Sequence, residues 1–168
     1  MKIFILSDTH DRMSKINELR QRIFNYNPDI LIHLGDFVSP FFIYQIFKDI
    51  KTSCNIDKII LIKGNNDGDI QLIRSTCDKI GACFYNEYFM EKLDGKNIFA
   101  IHKPDLAENL AKSGDFDYIL YGHTHKREYK KIGDTKLINP GTASGYLSEE
   151  ATYLTFDINN DEINFQII

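Results

Sequence analysis

Short apolar runs of strand length alternate with helical spacing in the first half of the chain. The apolar runs predict buried parallel strands, and they cover residues 3–6, 30–34 and 58–62. Apolar positions with a helical period predict helices over residues 14–26, over about ten residues after Pro40, and over residues 70–80. Strands that alternate with helices are typical of a parallel sheet with right-handed crossovers.

The ends of these helices carry recognisable signals. Ser14 is a candidate N-cap for the first helix, since its hydroxyl can accept a hydrogen bond from a free backbone N–H. Pro28 ends the same helix because it cannot continue the hydrogen-bonding pattern. Gly81, after the third helix, suits the left-handed backbone that often follows a helix C-terminus.

The second half of the chain favours hairpins. Strands predicted over residues 88–93 and 97–101 flank Asp94-Gly95, a strong hairpin signal. Two later hairpins are predicted from strands over residues 127–132, 135–138, 151–158 and 162–168. A helix from Pro104 to about Ser113-Gly114 and a strand over residues 117–121 lie between the first hairpin and the later ones.

Early crossovers followed by hairpins predict one α/β domain over residues 1–168, without internal repeats or linkers. We expect two mixed β-sheets packed face to face with helices on both outer faces, an αββα four-layer sandwich. A chain of 168 residues can bury roughly 68–70% of the surface that its unfolded form exposes. That fraction is sufficient for a core of this kind.

Composition narrows the function classes. No apolar stretch approaches the roughly 18–20 residues that span a bilayer, and Met1-Lys2 leads directly into a strand, so we expect a cytoplasmic protein without a membrane partner. Cys54, Cys77 and Cys83 are odd in number and lack C-x-x-C spacing. This pattern argues against a disulfide framework and favours buried, reduced thiols.

The charge balance argues against a broad nucleic-acid surface. The formal net charge is -4, whereas non-specific binding to a polyanion depends on many Lys and Arg contacts. The basic cluster over residues 126–136 is interrupted by Glu128 and Asp134, and we interpret it as a solvated face. A small anionic substrate remains compatible with the chain, because a metal site supplies its own positive charge.

Polar side chains follow five predicted strands at the point where each strand ends. Seven of them can bind a metal: Asp8, His10, Asp36, Asn65, His102, His123 and His125. Loops beyond the carboxyl ends of parallel strands converge on one crevice, so residues far apart in sequence can meet in space. Carboxylate, imidazole and amide oxygen together suit Mn²⁺, Fe or Zn²⁺ better than Ca²⁺, and the lack of thiolates argues against a structural zinc site.

Each motif alone also has a structural explanation. Asp8 and Asp36 can cap a helix or stabilise a loop, and Asn65 suits a turn. A lone histidine such as His102 is commonly a hydrogen-bonded core residue. The five motifs together, each at a strand end, favour the metal site. His33 lies inside its predicted strand, and we assign it to the core.

The motifs resemble those of the calcineurin-like metallophosphoesterase superfamily. They are Asp8-x-His10, Gly35-Asp36, Gly64-Asn65-x-Asp67, His102 and Gly122-His123-x-His125. The Gly64-Asn65-Asn66-Asp67 and Ile138-Asn139-Pro140-Gly141 segments are similar to its small archaeal and bacterial phosphodiesterase branch, the YfcE type. The resemblance covers nearly the whole chain and implies the αββα sandwich.

The resemblance also implies a ligand set. One ion would be bound by Asp8, His10, Asp36 and His125, and the other by Asp36, Asn65, His102 and His123. Asp36 would then bridge the two ions. Manganese is the implied metal, with nickel, magnesium, iron or zinc as alternatives.

Such a centre implies an activity. Two ions about 3.5–4 Å apart can share a water, lower its pKa toward about 7 and direct it at phosphorus. We therefore expect a dinuclear phosphodiesterase that acts on a small phosphodiester with a metal-bridging hydroxide as nucleophile. Asp36 and Asn65 would lie at its catalytic centre.

Two positions depart from the family pattern. Asn66 stands where many members have a histidine that protonates the leaving group, and an amide cannot supply that proton. Asn66 and Asp11 are candidate substrate contacts, and Asn66 and Asp67 are also candidate catalytic residues. Asp67, Asp11 or a metal-bound water could compensate for the missing proton donor. Lys103 follows His102 where the family usually has glycine, and it is either a contact for a substrate phosphate or an exposed surface lysine.

Two other functions compete with hydrolysis. The same fold occurs as a non-catalytic scaffold that binds partner proteins after losing its metal ligands, whereas all seven ligand positions are filled here. A receiver-like regulatory domain would use Asp8 but leaves His102, His123 and His125 without a role. The sequence leaves open the physiological substrate, the native metal, the acid for the leaving group and whether the chain forms a homo-oligomer.

Overall fold

The computed structural model describes residues 1–168 as eleven strands and five α-helices. The strands are β1 (Lys2–Leu6), β2 (Ile30–His33), β3 (Lys58–Ile62), β4 (Cys83–Tyr85), β5 (Tyr88–Leu93), β6 (Lys96–Ile101), β7 (Tyr118–Tyr121), β8 (Arg127–Ile132), β9 (Thr135–Pro140), β10 (Thr152–Asp157) and β11 (Glu162–Ile167). The helices are α1 (Ile16–Tyr26), α2 (Pro40–Phe47), α3 (Ile50–Ser53), α4 (Ile70–Ile80) and α5 (Ala107–Ser113). Short 3₁₀ turns, Met13–Lys15 and Pro104–Leu106, precede α1 and α5.

The first sheet has six strands in the order β11-β10-β1-β2-β3-β4. Strands β1 to β4 are parallel, and the β10–β11 hairpin pairs antiparallel with β1. The predicted helical crossovers are confirmed. Strand β4 was not predicted, because three partly exposed residues carry no apolar period of their own. Its Cys83 is exposed, so the expectation of three buried thiols is wrong there, while Cys54 and Cys77 are buried.

The second sheet has five strands in the order β5-β6-β7-β9-β8. Strands β6, β7 and β9 are parallel, and the hairpins β5–β6 and β8–β9 place antiparallel strands at the two edges. Both hairpins turn where the sequence predicts, at Asp94-Gly95 and Gly133-Asp134. The sheet is therefore mixed, as expected.

Alternating side chains sort the core into three apolar layers. In β1, Ile3 and Ile5 point at the second sheet and belong to the cluster between the sheets, whereas Phe4 and Leu6 face the helices. This two-residue period is the geometric property of a strand. A smaller cluster joins the outer face of the second sheet to α5. The αββα four-layer arrangement predicted from the sequence is confirmed.

Helix ends agree with the sequence signals in two of three cases. Helix α1 ends at Tyr26, just before Pro28, as predicted. Gly81 follows α4 with a φ of 70°. The Ser14 prediction is wrong, because Ser14 lies within a 3₁₀ turn and α1 begins at Ile16 without a side-chain cap.

The surface carries paired charges and lacks long apolar helices. None of the helices has both the length and the apolar character required to cross a bilayer. The basic cluster at 126–136 is largely neutralised by ion pairs, which are Arg127–Glu150, Lys130–Glu108, Lys131–Asp134 and Lys136–Asp161. Paired cations of this kind are typical of a solvated face.

His33 lies in the core, as the sequence predicts. It is fully buried at the end of β2, where its ring packs edge-on against Phe37 and Phe47. The N–H of Gly35 donates to Nδ1 at 3.1 Å, so the ring proton is on Nε2 and is donated to the hydroxyl of Thr9 at 3.0 Å. Burial lowers the pKa of His33 to about 3, because no water solvates the charged form of the ring in the core.

This buried neutral ring makes stability depend on pH. The unfolded chain protonates His33 below about 6.5, whereas the folded protein does so only below about 3. The free energy of unfolding should therefore fall as the pH drops through this window, by up to about 1.4 kcal/mol per pH unit. Urea denaturation of the wild type and of His33→Asn in a metal chelator measures the difference, since the other titrating groups are shared. Parallel pH profiles for the two proteins would contradict the prediction.

Candidate metal centre

The loops after five parallel strands meet at one edge of the sandwich. Asp8 and His10 follow β1, and hydrogen bonds join their N–H groups to the carbonyls of Gly35 and Asp36 after β2, at 2.9 and 3.0 Å. The N–H of His123, after β7 of the other sheet, donates to Asp8 Oδ2 at 3.0 Å. The convergence that the sequence predicts therefore joins the two sheets directly.

The candidate ligands form two groups of three. Asp8, His10 and His125 form the first, and Asp36, His102 and His123 form the second. Within each group the ligand atoms all lie within 4.8 Å of one another. Three acidic or imidazole side chains at this spacing can surround one ion.

Asp36 lies between the two groups. Its Oδ2 is 3.7 Å from Nε2 of His10 in the first group and 3.5 Å from Nε2 of His102 in the second. The side chain is buried, with 2% of its surface exposed. The seventh predicted ligand, Asn65, places its Oδ1 3.0 Å from Nε2 of His102. All seven residues are thus brought together.

Backbone carbonyls set the tautomers of two histidines. Nδ1 of His102 contacts the carbonyl of Leu34 at 2.8 Å, and Nδ1 of His125 contacts the carbonyl of Tyr146 at 2.7 Å. A carbonyl only accepts hydrogen bonds, so each Nδ1 carries the proton. Each Nε2 therefore presents a free lone pair to the cleft, as metal-binding histidines do.

The donor set fits a cation on its own chemistry. The lone pair of His102 Nε2 faces the Asn65 Oδ1, an acceptor, and the lone pair of His125 Nε2 faces His10 Nε2 at 3.1 Å. Asp8 Oδ1 is buried 3.3 Å from Nε2 of His125, whose proton is on Nδ1, and so it accepts no hydrogen bond. Facing acceptors and an unpaired buried carboxylate oxygen are costly unless positive charge lies between them.

The carboxylate and imidazole groups are electrostatically coupled. Burial raises the pKa of Asp36, but the adjacent imidazole of His102 and hydrogen bonds from Asn66 outweigh it and hold that pKa far below its usual range. Burial lowers the pKa of His102, yet the contact with Asp36 raises it overall. Burial lowers the pKa of His10. The site therefore stabilises an ionised Asp36.

Left-handed backbone is concentrated at this edge. Five of the seven candidate ligands have a positive φ between 44° and 66°, and these are Asp8, His10, Asp36, His123 and His125. Residues other than glycine adopt this conformation at an energetic cost, and such residues cluster at functional sites. The left-handed turns aim side chains from both sheets into one cleft.

Asp67 holds two of these loops together. One oxygen accepts from the N–H groups of Gly64 at 2.6 Å and Asp36 at 3.1 Å, and the other accepts from Val38 at 2.7 Å. Val38 has a φ of 77°, which is strained for a β-branched residue. With both oxygens engaged by backbone donors, Asp67 acts as a structural anchor behind Asp36.

Three further candidates lie around the cleft. The side chain of Asn66 donates to Asp36 Oδ2 at 2.7 Å, so it contacts the central carboxylate. Asp11 accepts from the N–H and hydroxyl of Ser39 at the start of α2. Lys103 is exposed and lines a cavity next to His102.

A second set of residues holds the ligand loops from behind. The hydroxyl of Thr142 and the N–H of Ser144 donate to the carbonyl of Asp8, at 2.8 and 3.2 Å. Asn139 donates to the carbonyl of Gly122 and to the hydroxyl of Thr124. All three are fully buried. Asn139 lies near the end of β9, and Thr142 and Ser144 follow that strand, so their signal in the sequence is similar to the one used for the ligands.

Comparisons with known proteins agree with this geometry. A family model described as the calcineurin-like phosphoesterase superfamily domain matches residues 1–161. Phosphodiesterase MJ0936 from Methanocaldococcus jannaschii is 33% identical over 165 residues, which cover 96% of each chain. A solved structure described as a novel archaeal phosphodiesterase has a TM-score of 0.89 and 31% identity, with all of both chains covered.

More distant relatives share the fold. Vacuolar protein sorting-associated protein 29 from Schizosaccharomyces pombe is 26% identical over 148 residues, covering 86% of this chain and 73% of its own. The Escherichia coli phosphoesterase Yfce has a TM-score of 0.69 at 17% identity, with both chains fully covered, and so shows the fold alone. The family model and the M. jannaschii relative span nearly all of the chain. The protein belongs to the calcineurin-like phosphoesterase superfamily.

Proposed function

We propose that this protein is a dinuclear metal-dependent phosphodiesterase. The observation that carries the proposal is the position of Asp36, whose Oδ2 lies within 3.7 Å of an imidazole nitrogen in each of the two groups. A carboxylate shared by two adjacent ligand groups suits a centre with two closely spaced ions. The relative from M. jannaschii, named a phosphodiesterase, supports diesters as the substrate class.

Each ion has four candidate ligands. The first would be held by Asp8, His10, Asp36 and His125, and the second by Asp36, Asn65, His102 and His123. Mixed carboxylate, imidazole and amide donors suit Mn²⁺, with Ni²⁺, Mg²⁺, Fe or Zn²⁺ as alternatives. When bound, the ions supply positive charge and an activated hydroxide for attack on phosphorus.

The chain's own residues prepare the cleft for a phosphate diester. Leu34 and Tyr146 carbonyls fix His102 and His125 with their lone pairs inward. Asp36 stays ionised because its hydrogen bonds favour the charged form. Two divalent ions together with the two carboxylates among the seven ligands would give a centre with a net charge of about +2 by charge counting. Such a centre would attract an anionic diester. No side-chain nucleophile is required by this arrangement.

The scaffold function remains the alternative. The resemblance to vacuolar protein sorting-associated protein 29 motivates it. Against it stand the seven filled ligand positions and the buried unpaired oxygen of Asp8. A scaffold gains nothing from keeping such a costly arrangement, so hydrolysis is the better-supported function.

Asp36→Ala tests the shared carboxylate. Metal-stripped wild type reloaded with Mn²⁺, Ni²⁺, Mg²⁺ or Zn²⁺ should bind two ions per chain and hydrolyse bis(p-nitrophenyl) phosphate. Asp36→Ala should bind neither ion, and its turnover should fall by more than about a hundredfold. Changes at residues that only support a ligand already reduce metal affinity or activity by about 10–100-fold. Calorimetric metal titration and a diester assay measure the two effects.

The matched control is Asp134→Ala, whose carboxylate is fully exposed and should change neither quantity. An Asp36→Ala protein with two bound ions and full turnover would refute the assignment. A wild-type profile restricted to monoesters would overturn the diester specificity.

Gly64→Ala tests how closely the loops must approach. A Cβ at Gly64 would lie 2.1 Å from Asp36 Oδ1 and 2.2 Å from the Asp36 nitrogen, so the carboxylate must shift. We expect metal affinity to fall by about 10–100-fold, as for other changes that misplace a ligand. Gly68→Ala, where a Cβ meets nothing within 4 Å, is the control. Equal metal titration curves for the two variants would disprove the effect.

Asn66 predicts a preference among leaving groups. An amide cannot protonate the departing oxygen, and a general acid contributes about 10²–10⁴-fold. Aryl diesters, which leave as stable anions, should therefore react faster than alkyl diesters by at least the lower of these factors. Asn66→His should reduce the difference in rate between aryl and alkyl diesters. Steady-state rates on matched aryl and alkyl diesters measure this preference. Equal rates for the two substrates in the wild type would contradict the prediction.

A further inference from the structure

A polar cavity lies directly beside the second group of candidate ligands. Its wall consists of residues 63–65 after β3, the turn between β4 and β5, and the end of β6 with the segment that follows it, and it includes Asn65 and His102. Its volume is about 320 Å³, near the lower limit of small-molecule sites, roughly 300–1,000 Å³. The cavity therefore has room for one small arm of a substrate whose phosphorus lies at the centre.

Two unpaired lysines line this cavity. Lys63 comes two residues before Asn65, and Lys103 directly follows His102. Neither ammonium group has a carboxylate within 4.0 Å, whereas Lys58 and Lys130 elsewhere on the surface form ion pairs. Both cations are thus free to meet an external anion next to the ligands of the second ion.

The opposite flank of the cleft is more acidic. The cavity beside His125 is lined by Glu149 and Glu150, and its cation, Arg127, is already paired with Glu150 at 2.9 Å. On the lysine side, Glu87 and Asp105 balance two ammonium groups that form no ion pair, whereas the His125 side has two carboxylates and one paired cation, so a negatively charged arm is better accommodated on the lysine side. This difference in charge favours one orientation of a substrate with one charged arm, with that arm on the lysine side.

The lysine side also offers acceptors and an apolar surface. Glu87 and Asp105 line the same cavity, together with Ile101 and Leu106. Carboxylates can accept hydrogen bonds from hydroxyl groups, and the aliphatic side chains can cover a ring face. A ligand that combines one anionic group with hydroxyls matches this lining better than a purely anionic one.

We propose that Lys63 and Lys103 bind a second phosphate carried by one arm of the diester substrate. The substrate class is then a phosphodiester in which a sugar-like arm ends in a further phosphate, as in a nucleotide unit with phosphates at both ends. This inference rests on the proposed phosphodiesterase function. The lysines are specificity residues that contact substrate away from the reacting atoms.

Two substrates that differ by a single phosphate test the proposal. Thymidine 5′-(p-nitrophenyl phosphate) and its 3′-phosphorylated form release the same chromophore from the same diester. We expect kcat/KM of the manganese-loaded wild type to be about tenfold higher for the 3′-phosphorylated form, as charge-assisted hydrogen bonds provide. The gain should shrink as salt concentration rises, because exposed charges are screened.

Variants identify the groups responsible. In Lys63→Gln combined with Lys103→Gln, the ratio of kcat/KM between the two substrates should fall to about one. Lys126→Gln is the matched control, because Lys126 is exposed and follows the ligand His125 as Lys103 follows His102. This control should keep the full ratio. Calorimetric binding of thymidine 3′,5′-bisphosphate should weaken in the double variant only.

The outcomes separate the two claims. Equal kcat/KM for both substrates in the wild type, or an equal loss of the ratio in Lys126→Gln, would overturn the second-phosphate site. Hydrolysis of bis(p-nitrophenyl) phosphate by the same preparation would then still uphold the phosphodiesterase function. Failure to hydrolyse any diester would instead remove the proposed function itself.

Discussion

The packing of one sheet on the other is the constraint on which the site depends. Apolar side chains from both sheets form a single buried cluster of 17 residues between them. Burying this surface fixes the relative position of the two sets of parallel strands, at roughly 25 cal/mol for each Å² removed from water. The hydrogen bond from His123 to Asp8 crosses from one sheet to the other at that edge. The cleft exists because the apolar core holds the two edges in register.

The cleft contains unfavourable hydrogen-bonding and backbone geometry that the rest of the chain largely avoids. Buried acceptors face one another around Asp36, and left-handed backbone, which is uncommon for residues other than glycine, recurs at five of the candidate ligands. Such strain persists only where surrounding structure enforces it. Here Asp67 binds three backbone N–H groups, and Thr142 holds the carbonyl of Asp8. The stable sandwich thereby supports an arrangement of buried acceptors that is unfavourable without a compensating positive charge.

The sequence predicts nearly all regular elements because their signals are local. The strand Lys58–Ile62 and the helix Ile70–Ile80 were placed with their observed bounds. The exceptions are strand β4, the four-residue helix α3 and the start of α1. Strand β4 forms because β3 provides hydrogen-bonding partners, and α1 starts after Ser14 because a 3₁₀ turn precedes it. Neither cause is visible in a window of a few residues.

The sequence alone determined the layers, the strand ends and the seven residue types that converge there. Those features follow from apolar period and from the chemistry of Asp, His and Asn. Only the tertiary structure decided the rest: the two ligand groups, the central place of Asp36, and the anchoring role of Asp67. It also decided the tautomers of His102 and His125, since those depend on backbone carbonyls of Leu34 and Tyr146. The reason is physical: any residue type presents the same carbonyl, so its position is set by folding and leaves no mark in the sequence.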